Sequence, residues 1–234
     1  LQDNDGGRFA IDANTGVVTV AGAIDREADG PTRNITVRAT SADGSFTDQV
    51  FSVDINDLDE FDVGAVTDSD VTANAVDENA VVGTSVGITA SASDADATNN
   101  AITYTLDDSA GGLFAINGST GVVTVNGALD YETATSHSVT VRATSADGSF
   151  STQSFTIDVT DVNESGVSAI SDTDGTADFV DENSANGTPV GITASASDAD
   201  ATTNGVTYSL FDDAGGRFTI NGTTGLVTVA DGTL

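Results

Sequence analysis

The sequence predicts an all-β protein built of seven-stranded Greek-key β-sandwiches in tandem. Three observations carry that prediction: a period near 104 residues, alternating apolar and polar runs within each period, and turn chemistry between the runs. The period is explicit. VGITASASDADAT at 86–98 recurs unchanged at 190–202, and ITVRATSADGSF at 35–46 recurs as VTVRATSADGSF at 139–150. Phe9-Ala10-Ile11, Phe114-Ala115-Ile116 and Phe218-Thr219-Ile220 hold one position in three copies, at offsets of 105 and 104 residues. The extra residue of the first copy falls between Arg26 and Arg33. Solenoid and propeller units are far shorter, so each period is a whole domain.

Within the period, Gly87–Ser93, Ile102–Leu106, Val122–Val125, Ser138–Ala143 and Phe155–Val159 alternate apolar and polar residues, the pattern of half-buried strands. Asn117-Gly118-Ser119-Thr120-Gly121 separates two such runs, and Asn and Gly tolerate the positive φ of a tight hairpin. About seven short strands per period with turns between them make a sandwich. No stretch has helical periodicity. The implied domains are 1–59, the C-terminal half of a repeat; 60–163, a complete repeat; and 164–234, the first part of the next. Two organisations fit: an excerpt of a longer array, or neighbouring chains that complete one another by strand exchange into a fibre. Residues 1–24 duplicate the pattern of 210–233, so a neat exchange leaves the ends overlapping.

Charge narrows the function. The chain carries 37 acidic and 6 basic residues, a net charge of −31, and all six bases are Arg. With nothing to neutralise phosphates, nucleic acid is excluded as a partner. No run approaches the roughly 20 apolar residues that cross a bilayer, so this segment does not insert in a membrane. The acids are interleaved with alternating Val, Ile, Thr and Phe, which separates the chain from a disordered acidic tail. It has no Cys, so core packing or metal must staple the domains.

The acids fall in groups. The full repeat holds Asp77-Glu78-Asn79, Asp94-Ala95-Asp96, Asp130-Tyr131-Glu132 and Asp158-Val159-Thr160-Asp161. The first copy repeats Asp25-Arg26-Glu27 and Asp54-Ile55-Asn56-Asp57, and the third repeats Asp181-Glu182-Asn183 and Asp198-Ala199-Asp200. Spacing of two along an extended chain turns both carboxylates to one side. Two such charges about 4 Å apart repel by roughly 4 kcal/mol at an effective dielectric of 20, a cost that a hard divalent cation removes.

This order of motifs resembles the cadherin repeat along the whole of 60–163: Glu78-Asn79, the Asp94/Asp96 pair, Asn100-Ala101-Ile102-Thr103-Tyr104, Phe114-Ala115-Ile116, Gly121-Val122-Val123, Leu129-Asp130-Tyr131-Glu132, then Asp158-Val159-Thr160-Asp161. Its near-identical copies look like those of giant bacterial surface adhesins and biofilm proteins. The resemblance implies Ca2+ between consecutive repeats. At the first junction it implies Asp25, Glu27, Asp54, Asn56 and Asp57 with Asp94 and Asp96 as ligands. At the second it implies Glu78, Asp130, Glu132, Asp158 and Asp161 with Asp198 and Asp200. Two departures limit it to two secure ions per junction: Ser145 stands where the family has an Asp, with Asp147 two residues on, and Thr160 replaces an Asn.

The remaining features read as structure. Asp68-Ser69-Asp70 with Asn74 could form a further site, but a surface loop is the simpler reading. His137 fits a hairpin loop. Tyr104 and Tyr208 fit a sheet face. Paired carboxylates could act as a glycosidase couple, yet a catalytic pair need not recur in every copy, so no enzyme is expected. The expectation is therefore a calcium-rigidified extender of a secreted bacterial cell-surface protein, with calcium and neighbouring repeats as partners. The alternative is a self-associating or glycan-binding adhesion module, which the scarcity of aromatic residues, with no Trp, weakens.

Overall fold

The computed structural model describes residues 1–231. In chain order its elements are β1 (Phe9–Ile11), β2 (Val18–Val20), α1 (Arg26–Asp29), β3 (Thr32–Thr40), β4 (Phe46–Asp54), β5 (Thr67–Asp68), β6 (Ala75–Asp77), β7 (Ser85–Ser91), β8 (Thr103–Asp108), β9 (Phe114–Ile116), β10 (Val122–Val125), β11 (Ser136–Thr144), β12 (Phe150–Thr160), β13 (Ser171–Asp172), β14 (Pro189–Ser195), β15 (Phe218–Ile220) and β16 (Leu226–Val229). The protein is all-β, as the alternation predicts. The one helix among the described residues is the four-residue α1, in the segment that carries the first copy's extra residue. Asp25 caps it by accepting from Ala28 N at 2.9 Å.

Two compact units divide the chain. One holds residues 1–74, 82–127 and 138–156; the other holds 75–81, 128–137 and 157 onward. In the first unit, β5-β7-β10-β9 form one sheet, and β8, β11 and the start of β12 lie side by side in another. β1 pairs with β2 and β3 with β4, the latter over nine residue pairs from Thr32↔Asp54 to Thr40↔Phe46. In the second unit, the end of β12 takes β6 alongside in parallel, from Asp158↔Ala75 to Thr160↔Asp77. A separate sheet there runs β13-β14-β16-β15.

Residues 60–163 show eight strands where seven are expected, because the opening strand is split. Its first piece, β5, pairs antiparallel with β7, and its second, β6, pairs with β12. Asp70 turns the chain between the two pieces, accepting from Thr72 N at 3.0 Å and Thr72 Oγ1 at 2.8 Å. The strands behave as a period of two requires: along β11, Val139, Val141 and Ala143 are buried between less buried neighbours. With Val86, Ile88, Phe114, Val123 and Val125 they form the core of the first unit. The hairpin at 117–121 closes β9 onto β10 with Val123 opposite Ile116, and Asn117 Oδ1 accepts from Ser119 N and Thr120 N at 3.0 Å. Gly121 sits at φ 72°, where a Cβ would lie 2.2 Å from Ala90 O, so only Gly fits. His137 lies within β11 rather than in a loop, because that strand begins at Ser136. Tyr104 is buried and its hydroxyl accepts from Ala92 N at 3.0 Å.

Candidate metal centres at the acidic junctions

Each unit contains one acidic junction, and the two are built alike. In the first unit, the Asp25–Glu27 turn and the 55–61 segment converge on the Asp94–Thr98 loop. Glu27 Oε1 accepts from Ala97 N at 3.0 Å, and Asp57 accepts from Thr98 Oγ1. Asp96, 3% exposed, accepts from Glu60 N at 3.2 Å and Phe61 N at 3.3 Å. In the second unit the same contacts recur. Glu132 Oε1 accepts from Ala201 N at 2.9 Å, and Asp161 Oδ2 accepts from Thr202 N at 3.1 Å. Asp200, 2% exposed, accepts from Glu164 N and Ser165 N at 3.1 Å. One Asp of each D-x-D thus ties down the segment leaving the preceding strand, while Asp94 and Asp198 accept from the amides of Asp96 and Asp200.

Glu78 is the hub of the second junction. It is 5% exposed, and its two oxygens accept from Tyr131 N at 2.6 Å and Val162 N at 2.7 Å. It belongs to two carboxylate groups, Glu78-Asp130-Glu132 and Glu78-Asp161-Glu164, each with one oxygen per residue within 4.8 Å of the others. The first junction has one such group, Asp59-Asp96-Asp147.

Electrostatic crowding follows. Glu164 is raised above the ordinary carboxylate range by desolvation and then by Glu78, Glu132, Asp200 and Asp161. Asp59 is raised by desolvation, Asp147 and Asp96, and Glu60 by desolvation and then Glu27 and Asp96. Other carboxylates are held low by hydrogen bonds: Asp57 by Thr98, Asp94 by Ser145 and Asp130 by Thr133.

Calcium fits this donor set. Glu27 Oε2, Asp57 Oδ1 and Asp161 Oδ1 are buried without a hydrogen-bond partner, although Arg26 Nε stands 3.7 Å from Asp57 Oδ1. Buried anionic oxygens without donors are costly. They lie among further carboxylates, and a cation that takes six to eight oxygens at about 2.3–2.6 Å satisfies such a set.

The sequence-predicted residues divide into those gathered and those not. Asp25, Glu27, Asp57, Asp94 and Asp96 surround the first junction; Glu78, Asp130, Glu132, Asp161, Asp198 and Asp200 surround the second. Asp54, Asn56 and Asp158 are exposed, as are Asp25, Asp130 and Glu132; the three carboxylate groups include neither Asp54 nor Asp158, and likewise omit Asp25, Glu27, Asp57, Asp94, Asp198 and Asp200. In β12 the buried residues are Ile157 and Val159, so the pleat turns Asp158 outward. Sequence reasoning passed over Asp59, Glu60 and Glu164. Their signal is the four-residue pattern Asp57-Leu58-Asp59-Glu60 and Asp161-Val162-Asn163-Glu164, which starts where strand alternation stops. Ser145 is buried and donates to Asp94 Oδ2 and to Asn99 O at 3.0 Å, while Asp147 supplies the carboxylate near Asp96. The Asp68–Asp70 loop is satisfied internally: Asp68 Oδ1 accepts from Asp70 N and Thr89 N, both at 3.0 Å.

Known proteins share parts of this sequence and its fold. The Cadherin domain family matches residues 72–160. Over those residues the chain is similar to a cadherin domain. Such domains are extracellular adhesion modules, not enzymes. Human Protocadherin Fat 1 is 32% identical over 225 residues, 94% of this chain and 5% of its own length. Human Protocadherin Fat 4 is 39% identical over 143 residues, 60% of this chain and 3% of its own length. The chain therefore spans a small fraction of these relatives. Among solved structures, mouse Cadherin-23 EC22-24 superposes with a TM-score of 0.70 at 29% identity, covering 96% of this chain and 72% of that one. Human CDH23 EC21-23 gives 0.74 at 26% identity, covering 97% and 73%. The cadherin fold, an immunoglobulin-like β-sandwich, thus extends along nearly the whole chain.

Proposed function

We propose that this chain is a calcium-rigidified spacer of an extracellular protein. It consists of the second half of one cadherin repeat (1–59), a complete repeat (60–163) and the first part of a third (164–234), of which 232–234 lie outside the described residues. The observation that carries the reading is the recurrence of one ligand architecture at the domain period, with buried, donorless carboxylate oxygens at both junctions. The ligands are Asp25, Glu27, Asp57, Asp94 and Asp96 at the first junction, joined by Asp59, Glu60 and Asp147. At the second they are Glu78, Asp130, Glu132, Asp161, Asp198 and Asp200, joined by Glu164. Asp54 and Asn56 belong with the first set and Asp158 with the second, as exposed donors that lie just before Asp57 and Asp161.

Bound calcium would supply positive charge that cancels the mutual repulsion of each group. The chain's own residues do the positioning: Asp96 and Asp200 hold the inter-repeat segments, and Thr98 and Thr202 orient Asp57 and Asp161. Without the ion the groups repel; with it they close. Affinities near 10⁻⁴–10⁻³ M suit an extracellular module. The near-identical copies and the absence of Cys support a bacterial cell surface as the setting, while the relatives named above are animal proteins. Small-angle scattering across a calcium titration tests the spacer role. The maximum dimension should change and sharpen as calcium saturates; an identical dimension in chelator and calcium would remove it.

A further inference from the structure

Five Asn-Gly steps lie in the chain, beginning at Asn117, Asn126, Asn186, Asn204 and Asn221. At such a step the glycine amide nitrogen can attack the Asn side-chain carbonyl, because Gly brings no side chain to obstruct the approach. The fold sorts the five. At Asn126 both reacting groups are tied down: Asn126 Nδ2 donates to Gly112 O at 2.8 Å, and Gly127 N donates to Leu113 O at 3.0 Å. At Asn186 the nucleophile is tied, with Gly187 N donating to Val229 O at 2.7 Å. Asn204 Nδ2 donates to Ala201 O at 3.4 Å, and nothing among the described residues donates to its Oδ1.

Asn117 and Asn221 are different. Asn117 Oδ1 accepts from Ser119 N and Thr120 N, both at 3.0 Å. Asn221 Oδ1 accepts from Thr223 N at 3.0 Å and Thr224 N at 2.9 Å. Two N–H donors on one carbonyl oxygen stabilise the negative charge that builds there when the carbonyl carbon is attacked. Both Asn residues are exposed, and Gly118 N and Gly222 N make no hydrogen bond among the described residues. The first copy shows what an aspartate does in this place. Asp12 Oδ1 accepts from Asn14 N at 2.8 Å and Thr15 N at 3.0 Å, and Gly16 N closes the turn on Asp12 O as Gly121 N does on Asn117 O. The Thr15 and Asn14 amides hold the Asp12 carboxyl below the ordinary carboxylate range. Aspartate therefore fits the turn without rearrangement.

We infer that the hairpin turns at Asn117-Gly118 and Asn221-Gly222 are self-modification sites, where Asn becomes aspartate by deamidation with water as the only co-reactant. Gly118 N attacks Asn117 Cγ. The new N–Cγ bond closes a succinimide, the Cγ–Nδ2 bond breaks, and ammonia leaves with the proton lost from Gly118 N. Water then opens the ring, so Asn and water give aspartate and ammonia with no change of oxidation state. Opening at Cγ restores the turn that Asp12 shows. Opening at the main-chain carbonyl gives isoaspartate, which lengthens the backbone and displaces Gly118, whose carbonyl accepts from Tyr104 N at 2.9 Å. Asn221 stands in the same relation to Gly222 and Tyr208 N, also at 2.9 Å. Each event adds one negative charge at a hairpin tip. The inference rests on the turns alone and is independent of calcium.

Peptide mass mapping of the full chain, held at about pH 8.5 and about 37 °C, reads each conversion as a gain of about 1 Da. In the folded chain Asn117 and Asn221 should each convert at least about tenfold faster than Asn126. In about 8 M urea, where the turns are lost, the three rates should agree within about threefold. Asn117→Asp makes the product directly and should leave the thermal melt unchanged. Either turn converting as slowly as Asn126 in the folded chain, a tenfold difference that persists in urea, or a destabilised Asn117→Asp chain would each overturn it.

Discussion

The two acidic junctions share a framework and differ in how they balance charge. At the first, the residue between the two acids is Arg26, whose guanidinium donates to Ile55 O and stands beside Asp57. At the second that place is Tyr131, which offers only its backbone N–H, and Glu78 adds a buried carboxylate to the group. The balance reverses near the D-x-D loop. Asp59 faces Asp96 and Asp147 at the first junction, whereas Asn163 stands in the equivalent place at the second and donates to Asp200 Oδ2 at 3.0 Å and Thr203 Oγ1 at 2.9 Å. One framework therefore places its uncompensated charge at two different points. A ligand set copied between repeats is not an electrostatic environment copied between repeats.

The comparison breaks most visibly at Glu78. Glu78→Ala removes the acceptor of two backbone donors, at about 1–3 kcal/mol for each unsatisfied group. In calcium the second unit should lose about 3 kcal/mol or more, read as a calorimetric transition that moves while the first unit's does not. Equal movement of both would mean that Glu78 is not specific to its junction. A smaller effect, about 2 kcal/mol in chelator, is expected of Asn163→Asp, which swaps a donor for a second carboxylate beside buried Asp200. Calcium should recover most of that loss. The converse Asp59→Asn should stabilise the first junction in chelator and weaken its calcium binding in titration calorimetry. Smaller again is Arg26→Tyr, which makes the first junction resemble the second. It should cost about 1 kcal/mol in chelator and tighten calcium binding there a few-fold.

The pH dependence distinguishes raised from depressed carboxylates. Asp59, Glu60 and Glu164 are raised in the fold, so their ionisation opposes folding above the ordinary range, and the penalty disappears as pH falls through their raised values. Asp57, Asp94 and Asp130 are depressed, so they stabilise the fold above the ordinary range, and that stabilisation is lost as pH falls through their lowered values. In chelator, stability should rise modestly as pH falls from neutral towards the ordinary carboxylate range and fall below that range. Urea midpoints across that range check it; a monotonic fall from pH 7 would show that crowding does not govern the junctions.

Much of this was legible in the sequence because its signals are local. The 104-residue identity fixed equivalent positions, and the alternation of Val139, Val141 and Ala143 gave the core face. The D-x-E and D-x-D pairs lie on turns whose side chains have little choice of direction. The 54–57 and 158–161 segments are harder, because Asp54 and Asp158 lie exposed on strands while Asp57 and Asp161 reach the D-x-D loop through Thr98 and Thr202. Asp59, Glu60 and Glu164 come into use only because Asp96 and Asp200 hold the following backbone, a contact between residues about 36 apart. Asp147 near Asp96 is likewise a product of tertiary folding, while Ser145 turns to Asp94 and Asn99. The splitting of the first strand into β5 and β6 depends on two different partner strands and leaves no period in the sequence.

Calcium at the junctions is tested most directly by thermal unfolding of the intact chain in 10 mM calcium against the same chain in chelator at equal ionic strength. Each bound ion with a dissociation constant of about 10⁻⁴–10⁻³ M should add roughly 1.4–2.7 kcal/mol. The expected result is a shift of both units' transitions upward, with the second moving further because it lacks Arg26's compensation. Superimposable melts in calcium and chelator would contradict it.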